Sequence, residues 1–152
     1  MKAMWLALVM SVVSGVAQAD CAVKADNGWV RWVPPVSPNS AAYFTLHNGS
    51  DKAVDVVAAE SDAARAVELH TVVKTGDLMQ MTPVEKVAVA AGEKVEFKPG
   101  SYHVMLIDLK QPLEKDSQVK LTLRFADGES LQLALPVKDE GPSEDHSHHH
   151  HH

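Results

Sequence analysis

The sequence has a single cysteine, few aromatic residues (5%) and no excess of positive charge. One cysteine excludes a framework of disulfides within the chain. With 20 acidic against 14 basic residues, the formal net charge is -6, which disfavours nucleic acid and anionic membranes as partners. No stretch reaches the roughly 20 apolar residues that span a bilayer, so no membrane span is predicted. The 152 residues, 45% of them hydrophobic, suffice for one domain with its own core.

Residues 1–19 have the pattern of a cleaved secretory signal peptide. Lys2 gives the segment a positive start, an apolar run follows, and Ala17 and Ala19 form an A-x-A cleavage pattern. We therefore predict export to the periplasm and a mature chain that begins after Ala19.

The cysteine lies just after this predicted cleavage point. A lipid-modified cysteine needs small residues directly before it, and Asp20 precedes Cys21, which argues against a lipid anchor. Residues 20–27 are predicted to be a mobile start of the mature chain, with Cys21 as an incidental thiol that could also pair between molecules.

The segment 28–137 consists of short, alternating apolar runs separated by turn residues. This pattern, with turns about every ten residues, is typical of an all-β sandwich or barrel. Asn48-Gly49 and Asp127-Gly128 favour tight hairpins between antiparallel strands. The predicted strands are Trp29–Val33, Ala41–His47, Ala53–Ala59, Ala66–Val73, Leu78–Thr82, Lys86–Val89, Lys94–Phe97, Tyr102–Leu109, Gln118–Phe125 and Leu131–Val137.

Residues 138–152 form a polar, histidine-rich tail that is predicted to be disordered. Its final histidine run is typical of an affinity tag, whereas the signal peptide and the break at Ser147 favour a native tail. A native tail would capture Cu(II), nickel or zinc as a secondary metal site. Its histidines are His146, His148, His149, His150, His151 and His152.

Histidine and methionine are concentrated in one part of the remaining chain. Between the signal peptide and the tail there are three of each, and five of these six residues lie between positions 70 and 105. His103 and Met105 are two apart in a predicted strand and so share a face, as do Met79 and Met81. A lone methionine or histidine in a strand is more often structural; the joint occurrence indicates a metal site. Imidazoles and thioethers without thiolate or carboxylate favour Cu(I) over zinc, calcium or magnesium.

The spacing of His70, Met81, His103 and Met105 resembles the H-x10-M-x21-H-x-M signature of the PCu(A)C family of periplasmic copper chaperones. The sequence around these positions also resembles that of the family, over essentially all of 28–137. The resemblance implies a cupredoxin-like Greek-key β-sandwich that binds Cu(I) through these four residues near one end. It also implies delivery of copper to the CuA or CuB centre of a respiratory haem-copper oxidase, alongside Sco-type proteins.

Two residues fall outside the signature. Met79 is interpreted as core packing and His47 as structural. Because thioethers do not titrate, His70 and His103 alone should make Cu(I) binding weaken with acid, below about pH 6.

Other functions stay open at this point. One is periplasmic copper sequestration for tolerance without a delivery target. Another is a β-sandwich interaction or adhesion domain in which these histidines and methionines are core residues. A blue-copper electron carrier would need a cysteine ligand close to the other ligands, and an enzyme would need a base or nucleophile that the set does not offer.

Overall fold

The part of the chain described by this computed structural model, residues 22–139, is built from β-strands. Within that range no helix forms, and therefore none that could cross a bilayer. All ten predicted strands are confirmed, nine of them to within two residues at each end. The strands are β1 Val23–Arg31, β2 Ser40–Asn48, β3 Val54–Glu60, β4 Ala64–Thr75, β5 Leu78–Pro83, β6 Val87–Val89, β7 Lys94–Phe97, β8 His103–Leu109, β9 Gln118–Phe125 and β10 Ser130–Lys138.

Hydrogen bonds join the strands in the order β5-β4-β8-β2-β1-β10-β9-β3-β6, with β7 also beside β2. β7 and β8 share one edge of β2: Ala41 pairs with Met105 of β8, and Phe44 pairs with Phe97 of β7. All pairs are antiparallel except that of β1 with β10. Strands distant in sequence therefore lie side by side, as in Greek-key connections.

Side chains from the two halves of this strand order pack against each other in a single main core. β9 shows why, since its side chains alternate: Leu121 and Leu123 are buried while Lys120 and Arg124 are exposed. A strand with this alternation places one face on the core. The largest fully buried apolar side chains come from both halves of the order: Val30, Phe44, Leu46, Val104, Leu106, Val56, Val87, Val89, Leu121, Leu123 and Val137.

The folded part begins earlier than the sequence predicted. β1 starts at Val23, so residues 23–26 of the segment predicted to be mobile pair with β2. Val23 is buried and Ala25 packs against the core, an alternation too short to be recognised in the sequence. The predicted signal peptide, Cys21 and the tail histidines lie outside the described residues.

One of the two predicted hairpins is confirmed. Asp127-Gly128 joins the antiparallel strands β9 and β10, with Gly128 at φ +91°. The Asn48-Gly49 hairpin is wrong, because β2 is followed by a crossing to β3, which pairs with β9 and β6. The Asn48 amide is buried there and donates hydrogen bonds to the carbonyls of Lys52 and Val89.

β4 and β5 form a long hairpin at the end of the strand order. Gly76, at φ +61°, occupies the first of two loop positions, as in a type II′ turn. β4 pairs with β8 only as far as His70, and residues 71–75 pair with β5 alone. We call residues 71–82 the β4–β5 arm.

Candidate metal centre

The four residues that match the copper signature lie on one face of β4, β5 and β8. His70 is directly opposite His103, and opposite residues in an antiparallel pair share a face. Met105 follows His103 by two positions. Met81 pairs with Val72, which is two positions from His70. It is therefore a diagonal neighbour of His70, within reach of a long side chain.

This face is the outer face of the sheet. Val104, which alternates with His103 and Met105, is completely buried in the main core. The neighbouring strands β2 and β1 contribute Ala41, Tyr43 and Trp29 to the same outer face, where they form a separate small apolar cluster. The signature residues are thus held by strands whose opposite faces are anchored in the core.

A turn between β7 and β8 positions His103. The Ser101 amide donates to the carbonyl of Lys98 across Pro99-Gly100, and Gly100 has φ +82°. Proline followed by a glycine of positive φ is the sequence of a type II turn. The turn places the Ser101 carbonyl 3.1 Å from Nδ1 of His103, which donates a hydrogen bond to it.

The second nitrogen of His103 has no such partner. The residue is 2% exposed, and its buried Nε2 makes no hydrogen bond among the described residues. Because Nδ1 carries the hydrogen, Nε2 presents a lone pair to the outer face.

His70 has a matching arrangement with the nitrogens reversed. Its Nε2 lies 2.7 Å from a carboxylate oxygen of Glu68 and donates to it. Its Nδ1 is buried and, within residues 22–139, unpaired. The two rings are 5.7 Å apart between centroids, at 48°. Buried polar atoms normally have partners, so two free lone pairs side by side suit a metal ion.

The surroundings of His103 keep its ring neutral. Burial lowers the pKa of His103 below its usual value; the hydrogen bond to Ser101 opposes this only in part, and the nearby His70 and Arg31 lower the pKa further. Tyr43 lies 6.4 Å from the imidazole between ring centroids and carries the Arg31 guanidinium over its own ring. A neutral imidazole is the form that binds a metal.

The methionines differ in exposure. Met105 is partly buried between β4 and β2, whereas Met81 is 62% exposed on the edge strand β5. Met79 is also 62% exposed, so its interpretation as core packing is wrong. β5 is an edge strand with every residue exposed, and its methionines do not reach the core.

Glu68 was not predicted to lie near the site. No carboxylate was expected there, yet Glu68 pairs directly with Met105 on the same face. The signal was present, because Glu68 and His70 are two apart in one strand. His47 lies near the other end of β2, with Nε2 3.1 Å from a carboxylate oxygen of Asp26, away from the cluster.

Comparison with known proteins identifies the domain. The LpqE-like family matches residues 23–137. A curated relative from Leifsonia xyli subsp. xyli, "Putative lipoprotein Lxx21020", is 37% identical over 123 residues, covering 80% of this chain and 72% of the relative. The family is described as "Putative lipoprotein LpqE-like", and this description and the relative's name both suggest an exported protein.

Solved structures show the same architecture. The solution structure of the Cu(I) form of DR1885 from Deinococcus radiodurans is 34% identical and covers 82% of this chain and 83% of that one, with a TM-score of 0.62. The copper-bound PCuAC domain of PmoF2 is 18% identical, with a TM-score of 0.66 over 78% of this chain and 94% of that domain; this second match shows the fold alone. The predicted resemblance and the cupredoxin-like sandwich are both confirmed, and the chain belongs to the LpqE-like family, with a domain of the PCuAC type.

Proposed function

We propose that this protein is a periplasmic Cu(I) metallochaperone. It would hold the ion through Nδ1 of His70, Nε2 of His103 and the thioethers of Met81 and Met105. The observation that carries the proposal is the pair of buried, unpaired imidazole nitrogens on the same face as both thioethers.

The ligand chemistry favours Cu(I). Thioether sulfur is a soft ligand that selects Cu(I), whereas zinc favours thiolate, imidazole or carboxylate. Glu68 does not alter this preference while its carboxylate accepts the hydrogen bond from the far nitrogen of His70. The 34% identical DR1885 has been solved in its Cu(I) form, which supports the same metal here.

The buried and the exposed ligands of the proposed site have different roles. His103 is fixed by the turn before β8 and is almost inaccessible to water, so it is the anchoring ligand. Met81 lies on the exposed edge strand, so it is the ligand that a recipient can replace first. Copper would therefore move by stepwise ligand exchange and remain Cu(I) throughout.

X-ray absorption of the Cu(I)-loaded protein tests the ligand set. We expect the spectrum to fit two nitrogen and two sulfur ligands at a single copper, as the proposed set requires. Met105→Leu should remove part of the sulfur scattering, and His47→Ala should change nothing. Copper surrounded by nitrogen and oxygen alone would contradict the proposal.

The recipient is proposed from the family resemblance. We expect the Cu(I)-loaded protein to fill an apo CuA or CuB centre of a haem-copper oxidase, or to load a Sco-type protein, under anaerobic conditions. If small chelators remove the ion while none of these recipients acquires it, sequestration replaces delivery as the function.

A further inference from the structure

The β4–β5 arm exposes most of the large apolar side chains on the surface. Of the six such residues that are exposed within 22–139, four lie on β4 and β5: Val73, Leu78, Met79 and Met81, at 45% to 65% exposure. Along the arm, β5 is the only strand described within 22–139 that pairs with β4. Apolar side chains clustered on a surface generally serve an interaction.

The arm divides these side chains between two faces. Val73 and Leu78 lie on one face, because strand residues alternate and Leu78 pairs with Thr75. Met79 and Met81 lie on the other face, which is the face of His70. The two thioethers therefore continue the proposed metal site outward.

We propose that Met79 and Met81 form an outer, transient Cu(I) site. The ion passes through it on its way to the imidazoles and again when it leaves them. This inference rests on the proposed function and adds Met79 to it. Residues two apart in a strand have Cα atoms roughly 6.5–7 Å apart, so two flexible thioethers can close on one ion between them. Met81 would belong to both sites and carry the ion from one to the other.

The position opposite Met79 makes this outer site short-lived. Lys74 pairs directly with Met79 and lies on the same face, and its cationic side chain repels a bound cation. Because these strands are exposed, water screens the repulsion, which therefore weakens binding without preventing it. A weak site outside a tight one suits transfer and does not suit storage.

Exposure increases along the proposed route. His103 is 2% exposed at the inner end, and Met81 and Met79 are each 62% exposed at the outer end. In each exchange one copper–ligand bond, Cu–N or Cu–S, breaks as another forms, and at release the new bond is to a ligand of the recipient. The ion stays Cu(I), so no oxidant, reductant or proton is needed.

Methyl NMR of the full chain, titrated with Ag(I) as a redox-inert soft cation, tests the outer site directly. We expect the methyl signals of Met81 and Met105 to shift as the inner site fills. Over the same range of Ag(I) concentration, the methyl signal of Met79 should broaden by exchange. An unchanged Met79 methyl signal would overturn the proposal. Unchanged signals for Met81 and Met105 would instead contradict the proposed function itself, so the two failures are distinguishable.

Transfer kinetics test the route. We expect Met79→Leu to release Cu(I) to a chromophoric chelator about tenfold more slowly, equivalent to ~1.4 kcal/mol in the barrier, with unchanged equilibrium affinity. A matched control, the double variant Leu78→Met with Met79→Leu, keeps the composition but moves the thioether to the other face, and it should also be slow. Release at the original rate from Met79→Leu, or an affinity loss equal to that of Met81→Leu, would overturn the proposal.

Discussion

At the scale of single residues, the site is set by which nitrogen of each imidazole carries the hydrogen. Ser101 accepts from Nδ1 of His103, and Glu68 accepts from Nε2 of His70. These two contacts leave the opposite nitrogens without a partner within residues 22–139. Rings held by such contacts need less ordering when they bind an ion, which reduces the cost of binding.

The Glu68 contact gives the first prediction. Glu68→Ala should lower Cu(I) affinity about 10- to 100-fold, because the orientation and tautomer of His70 are no longer fixed. Glu68→Gln should restore most of it, because the amide oxygen accepts the same hydrogen bond. Nitrogen-15 NMR of the metal-free protein should show mixed His70 tautomers only in the alanine variant. Glu129→Ala, in the remote β9–β10 turn, is the control, and an unaltered affinity in Glu68→Ala would contradict this role.

The lowered pKa of His103 gives the second prediction, for the metal-free protein. The unfolded chain binds the proton at the ordinary imidazole pKa of about 6.5, above that of the folded chain. The free energy of unfolding should therefore be highest above that pH and fall as the pH drops below it. Urea unfolding between pH 7.5 and 5.0 measures this slope.

His103→Asn should flatten that slope. Glu60 and Glu96, whose pKa values are lowered by their basic partners, titrate at lower pH and do not contribute in this range. A metal-free protein that becomes more stable on acidification towards pH 5.0 would contradict the assignment.

How much of the site the sequence can reveal is also decided at this scale. Spacing along one strand is enough to place His103 beside Met105, because alternation is a local property. The contact between His70 and His103 requires the pairing of β4 with β8, which spacing does not specify. Glu68 was not predicted, because it is not one of the soft or imidazole ligands that indicate Cu(I), although it shares a strand face with His70.

At the scale of elements, the two faces of the strands separate stability from metal chemistry. Val104 faces the core and is fully buried, while Met81 is 62% exposed on the edge strand. The alternative of an adhesion domain required Met81 to be a core residue whose truncation destabilises the protein. Its exposure removes that premise.

The turn before β8 gives the third prediction. Gly100→Ala should destabilise the protein by about 1–2 kcal/mol, because a side chain strains a backbone at positive φ. It should also weaken Cu(I) binding, because the strained turn displaces the Ser101 carbonyl that orients His103. Gly92→Ala is the matched control: Gly92 has φ +73° in a turn that contains no ligand. Equal Cu(I) affinity in the two variants would contradict the role of the turn.

The two predicted hairpins show that local sequence does not by itself determine which strands pair. Asp-Gly predicted the β9–β10 hairpin, in which the strands on either side pair with each other. Asn48-Gly49 has the same local preference, but β3 finds its partners in β9 and β6. The deciding interactions are long-range, including the bond of Asn48 to the carbonyl of Val89, 41 residues away.

At the scale of the whole molecule, the folded domain extends slightly further along the chain than the sequence predicted. β10 extends to Lys138, and Asp139 forms an ion pair with Lys115. The folded domain therefore continues to residue 139, slightly beyond the boundary at 137 predicted from the sequence. The all-β class followed from alternation, whereas the cupredoxin-like topology followed only from the family resemblance, because alternation does not specify which strands pair.

The tail gives the fourth prediction. Ending the chain after Asp139 should abolish Cu(II) binding by the histidines between 146 and 152 and leave Cu(I) binding intact, because Cu(II) accepts clustered imidazoles and the thioether site selects Cu(I). Calorimetric titration with Cu(II) and competition titration with Cu(I) measure the two effects. An unchanged Cu(II) stoichiometry would contradict a metal-capturing tail.

The most direct test of the central claim is a Cu(I) titration of the chain ending at Asp139, against a competing chelator and without oxygen. We predict one tight site that is weakened by His103→Ala and by Met81→Ala but not by His47→Ala, because His47 lies outside the cluster. Failure to compete for Cu(I), or the same affinity in all three variants, would contradict the account.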